Sequence, residues 1–163
     1  MMMRELTSLW ASMQDPEYLH LLLEPLPLFG LGLGLIFLLM SVLLGQAQTR
    51  ILALIVIILS AGSVPWYLKM RVKAAPRIAA TTDRAFQPLI KQQTERRQDS
   101  EWVYLSVAAV SAVALVLGRT GRASLLTWIA IAVVAAGFVH GIWLHKKECE
   151  VYHPHIVHYV APQ

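Results

Sequence analysis

Cysteine is almost absent from this chain of 163 residues: Cys149 is the single one. That excludes an iron–sulfur cluster built by this chain alone, a four-cysteine zinc site and a CxxCH haem attachment. Motifs of side-chain catalysis are missing as well. No HExxH pair, no phosphate-binding loop with GxxxxGK[ST] and no GxSxG elbow occurs. The sequence therefore predicts an accessory protein and not an enzyme. Charge is scarce too, 15% of residues against 56% hydrophobic, a balance far more apolar than water-soluble folds carry. Nor does the start MMMRELTSLWASMQD read as a secretory leader, since one arginine precedes no apolar core.

What is present is four long apolar stretches. A helix needs roughly 20 apolar residues to cross a hydrocarbon core. Residues 25–49 and 51–68 hold no charge, residues 102–118 follow, and residues 123–144 are interrupted only by His140. The runs lack the strict alternation of a barrel strand. The expected fold is all-α, a bundle of four transmembrane helices in residues 25–145. A short interfacial helical segment should precede it in residues 1–24, and a His-rich tail, residues 146–163, should follow. Leu6, Leu9, Trp10 and Met13 share one helical face, which suits a helix lying along the bilayer surface. Asp15-Pro16 reads as a helix start. Pro25 and Pro27 should break that short helix from the first span and leave His20 on an elbow above the membrane.

Residues 69–101 read as a basic loop that carries the whole net charge of +4. Lys69, Arg71, Lys73, Arg77, Arg96 and Arg97 are the candidates there for contact with anionic lipid headgroups or with a partner. Nucleic acid is not expected, because these residues lie against a membrane and are not interleaved with stacking aromatic residues. Arg4, this loop, Lys146 and Lys147 outweigh Arg50, Arg119 and Arg122 on the opposite side. By the positive-inside rule both termini face the cytoplasm, in a plasma (inner) membrane. Trp66, Tyr67, Trp102, Tyr104 and Trp143 mark the headgroup level on that side. Close helix approach is expected at the small-residue pairs Gly30 with Gly34 and Gly137 with Gly141. No ionisable group lies deep in any span, which makes a transporter a minor reading.

Five of the six histidines lie between residues 140 and 159. His145 is about 140° round the helix from His140, so the two cannot share a metal from one continuous helix. His153 and His155 flank Pro154 with His158 close by, a candidate copper or zinc site, or equally a tail that docks on a partner. His20 and His140 should reach the same membrane edge. Two opposed imidazoles in a helical bundle are what b-type haem asks for, and the bland alternative is a pair of hydrogen-bonded interfacial histidines.

The stretch PEYLHLLLEPLPLFGLGLGLIFLLM resembles an uncharacterised family of bacterial four-helix membrane proteins, a domain of unknown function. Its members open with His-Leu-Leu-Asn-His-Leu-Pro and close the fourth helix with His-x-Gly-Gly. His20 matches the first histidine, and His140-Gly141 begins the last motif before Ile142 and Trp143 depart from it. The resemblance implies a four-helix plan over residues 16–150, with b-type haem between His20 and His140. These readings converge on a small membrane subunit that serves other integral membrane subunits, most economically in electron transfer. An independent b-type cytochrome is the first alternative, and a transporter or metal-handling protein the second.

Overall fold

The structure, a computed structural model, describes residues 10–81, 84, 86–118 and 123–152. Seven helices account for them: α1 (Pro16–Leu23), α2 (Pro25–Leu43), α3 (Ala47–Gly62), α4 (Val64–Thr81), α5 (Gln87–Asp99), α6 (Glu101–Leu117) and α7 (Ala123–Tyr152). They merge end to end into four rods, Pro16–Leu43, Ala47–Thr81, Gln87–Leu117 and Ala123–Glu150, each long and apolar enough to cross a membrane. The rods run up and down in chain order. α2 packs on α3, α3 on α6, α6 on α7, and α7 closes the ring on α2, while α1 lies along α4.

Local chemistry sets the breaks. Asp15 caps α1 by accepting from the Glu17 amide at 2.8 Å, with Pro16 at the first helical position. Pro25 and Pro27 do not break the chain away as the sequence suggested. Glu24 keeps helical dihedrals (φ −55°, ψ −44°) and its amide still bonds to the His20 carbonyl, so the prolines interrupt the hydrogen-bond ladder without turning the rod. The first true reversal comes at Gly45, whose φ of +65° is the left-handed position of a helix C-terminus. There the Gln46 amide reaches back to the Ser41 carbonyl and the Gly45 amide to that of Val42, the two bonds of a Schellman stop.

Residues 69–101 are not a loop. Two helices occupy most of them as a hairpin, α4 running on to Thr81 and α5 spanning Gln87–Asp99. At 1.5 Å per residue the 35-residue second rod is about 50 Å long, against a hydrocarbon core of about 30 Å. The rod is thus longer than one crossing of the hydrocarbon core requires. Charged residues on its outer face do not stop the helix, because Ile57, Ala61, Val64, Leu68 and Ala74 keep one apolar stripe buried along its length.

The bundle is apolar on both sides. Leu31, Leu38, Leu54, Ile57, Val107 and Val134 fill the interior, while Leu33, Ile36, Leu52, Leu59, Val116 and Val139 point outward and exposed. A water-soluble bundle would place polar residues there, so the outer face is suited to lipid. Small residues permit the close approaches. A Cβ added to Gly30 would meet Ser60 and one added to Gly34 would meet Ile57, on the α2–α3 contact; Gly137 faces Val107, and Gly141 faces Tyr104 and Leu28.

Candidate functional site

At the end of the bundle from which the hairpin projects, each of the four rods contributes one charged residue to a single buried cluster. Glu24 comes from the α1–α2 junction, Arg71 from α4, Arg97 from α5 and Glu148 from α7. Glu148 is 4% exposed, Arg71 5% and Arg97 9%, values at which an unpaired ion would be very costly. They are paired. Arg97 grips both carboxylate oxygens of Glu148 as a two-pronged fork, the arrangement that matches a guanidinium to a carboxylate. The same guanidinium reaches Glu24 at 3.1 Å. Arg71 donates to Glu148 at 3.0 Å, to the Tyr67 hydroxyl at 2.8 Å and, through Nε, to Thr94 at 3.2 Å.

Neighbouring groups complete the assembly. Arg97 lies over the Tyr67 ring, 5.4 Å from its centroid. The buried Gln93 donates to the Lys147 carbonyl at 2.8 Å and ties α5 to α7. Further out, the exposed Arg77 bridges α4 to Asp15 and Glu17 at the start of α1. The hydrogen bond from Arg77, with a second from the Glu17 amide, holds the Asp15 carboxyl below the usual carboxylate range. Of the four groups in the cluster, three are buried and Glu24 is half-buried at the edge, and each guanidinium faces a carboxylate. The cluster thus closes on itself.

Two residues expected to meet lipid or a partner do something else. Arg71 and Arg97 turn inward, because each lies on the helix face that carries the core residues, and the carboxylates of Glu24 and Glu148 meet them there. Lys69 and Lys73 remain exposed, as does Arg77, already paired with Asp15 and Glu17. Arg96 is half-buried with its guanidinium over Trp143. Trp66, Trp102 and Trp143 are exposed near the level of the cluster, as headgroup-seeking rings would be.

The histidines are spread out. His20 is buried in α1 with its ring tilted against Tyr67, and His140 packs against Tyr104 and Trp143. His20 is therefore buried where α1 lies along α4 and not on an exposed elbow, because the rod continues through Glu24. Nδ1 of His20 and Nε2 of His140 are buried without a hydrogen-bond partner among the described residues. Tyr67, against which His20 packs, and Tyr104, against which His140 packs, close with Arg97 and Leu144 round a void of only about 10 Å³. His145 is exposed beside Cys149, with Nε2 and Sγ 3.8 Å apart. His153, His155 and His158 lie outside the described residues, and so do Leu6 and Leu9 of the N-terminal segment. Among the described residues no group of three His, Cys, Asp or Glu side chains could hold a metal ion.

The sequence reading missed the cluster, although a signal for it exists. Core positions 20, 24, 27, 31, 34, 38 and 41 step by four and three, as do 57, 61, 64, 68 and 71, then 93, 97, 100, 104, 107, 111 and 114, and finally 130, 134, 137, 141, 144 and 148. Each stripe runs straight through one of the four charged residues. That heptad spacing assigns Glu24, Arg71, Arg97 and Glu148 to the seam. Comparisons with protein-family models, with curated proteins and with solved structures find no match to this chain.

Proposed function

We propose that this chain is a non-catalytic integral membrane subunit that seats itself in a larger membrane assembly, one concerned with electron transfer. One observation carries the reading: the four rods are joined at one end of the bundle by a paired charge cluster, and a helical hairpin extends from that end. A lock of this kind spends its charged groups on architecture. The hairpin, in contrast, offers Lys69 and Lys73 together with the exposed Val72, Phe86 and Leu89, a mixed surface suited to another protein or to anionic headgroups. The placement within electron transfer rests on economy of function and on the family resemblance. Both termini and the hairpin belong to the cytoplasmic side in this reading, on the excess of basic residues there.

An independent b-type cytochrome is the second reading, favoured by the unpartnered imidazole nitrogens of His20 and His140. Haem held by that pair would need Tyr67, Tyr104 and Leu144 to move apart. One preparation separates the two readings. Tagged chain, cross-linked in the membranes of its own cells and solubilised in mild detergent, is expected to migrate far above its 18.2 kDa together with redox proteins. Recovery of this chain without other proteins overturns the subunit reading. A reduced-minus-oxidised b-type spectrum that is lost in His20→Ala and His140→Ala establishes the cytochrome instead.

Orientation has its own measurement. A thiol reagent that cannot cross the membrane is expected to leave Cys149 unlabelled in intact cells and to label it after permeabilisation. Labelling in intact cells would reverse the assigned sides.

A further inference from the structure

Beside the charge cluster, between the α1–α2 junction and α7, the bundle opens into a cavity of about 250 Å³. Its polar wall is made by Glu24, Arg97, Tyr104 and His145, and its apolar wall includes Leu28 and Phe29. Phe29 is 66% exposed on the outward face of α2, just where the uncharged run of that helix begins. The mouth therefore gives onto lipid at the boundary between headgroups and hydrocarbon, and a ligand could enter sideways from the bilayer.

The chemistry of the wall narrows what could enter. Tyr104 is 95% buried, being 5% exposed, and its hydroxyl has no hydrogen-bond partner among the described residues. The hydroxyl is not sealed off from the cavity that Tyr104 lines, so a ligand oxygen can reach it there. Arg97 is already paired with both Glu24 and Glu148, so an anion finds no unpaired guanidinium there. A neutral head that both accepts and donates hydrogen bonds suits Tyr104, His145 and the outer edge of Glu24.

Size narrows it further. An apolar cavity of about 150 Å³ holds benzene, whereas sites for drug-sized molecules begin at about 300 Å³. The space at hand takes one substituted ring and leaves any tail in the lipid. We infer that this cavity binds the head group of a lipid-soluble quinone or quinol, with a ring oxygen on the Tyr104 hydroxyl and the tail running past Phe29 into the bilayer. The choice of a quinone among neutral ring compounds rests on the electron-transfer reading above; the cavity and its unpartnered hydroxyl do not.

The test uses the full chain in nanodiscs of phosphatidylcholine, titrated with decylubiquinone and followed by quenching of tryptophan emission. A saturable phase of one quinone per chain is expected on top of linear partitioning. Leu28→Phe, which fills the cavity, is expected to weaken that phase at least tenfold, and Tyr104→Phe, which deletes only the hydroxyl, about threefold to tenfold. Gly141→Ala puts a Cβ 3.2 Å from the Tyr104 hydroxyl and 3.4 Å from Leu28 and is expected to act in the same direction. Val139→Phe, on the lipid-facing side, is the control and should bind as the parent does. Purely linear quenching, or equal binding by Leu28→Phe and Tyr104→Phe proteins of unchanged helicity and Tm, overturns the site. Loss of the saturable phase when phosphatidylglycerol is added assigns the cavity to an anionic lipid and also overturns it. Because the isolated protein is used, failure here leaves the co-purification result untouched, and a failed co-purification leaves a measured quinone affinity standing.

Discussion

Replacing Glu148 with leucine is expected to cost about 3–5 kcal/mol of stability, the usual consequence of removing one partner from a buried ion pair. Glu148 is the common acceptor for Arg97 and Arg71. Without it two buried guanidiniums share Glu24 alone, which stands 3.1 Å from Arg97 and 3.7 Å from Arg71. The sign of the effect for the pair is different. Burying ions carries a desolvation penalty that their attraction offsets only in part, so replacing both partners by apolar residues is often neutral or better. Glu148→Leu combined with Arg97→Met should therefore recover most of the loss, with Arg71 left to Glu24. Thermal unfolding of the purified variants in one detergent measures both. If the single variant loses less than about 1 kcal/mol, the figure usual for exposed pairs, the cluster is solvated and does not lock the bundle. A double variant as unstable as the single one would show that Arg97 is needed for more than its pairing with Glu148.

The second large effect is expected at the α2–α3 seam. A Cβ on Gly30 would lie 1.8 Å from Ser60 Oγ and 2.4 Å from its Cβ, so Gly30→Ala cannot be accommodated without the helices moving apart. Overpacking of a well-filled interior typically costs about 1–3 kcal/mol, and between membrane helices close packing is a main source of association. Ser60→Gly in the same chain removes both clashing atoms and should restore most of the stability. Gly62→Ala provides the comparison, since nothing lies within 4 Å of the added atom. Alanine also favours a helix by about 1 kcal/mol over glycine, so Gly62→Ala should be neutral or slightly stabilising. Thermal unfolding in detergent reads all three variants. Equal Tm values for Gly30→Ala and Gly62→Ala would mean that the seam is looser than this packing.

Sequence alone determined the number of rods and their helical nature. Four runs of about 20 apolar residues leave the backbone no other way to satisfy its hydrogen bonds in hydrocarbon. The small-residue pairs were legible for a similar reason, since Gly30, Gly34, Gly137 and Gly141 sit where two backbones come close and side chains are unwelcome. The count of charges per segment was equally plain. What it left undecided was the direction in which each charge points.

Only the tertiary structure decided that. Arg71 and Arg97 are in a basic stretch, and by composition they resemble Lys69 and Lys73; what separates them is the face of the helix on which they fall, and what waits opposite. Glu24 and Glu148 are 124 residues apart in the chain and meet only because the first and fourth rods are neighbours in a closed ring. The stretch read as a loop is helical for a related reason: the buried stripe of α3 continues through Leu68, Arg71 and Ala74 in α4, which packs on α1 and α5. Lengths and apolar runs are local properties of a chain. Burial of a charge depends on a partner that another helix brings, and that pairing exists only once the four rods have packed.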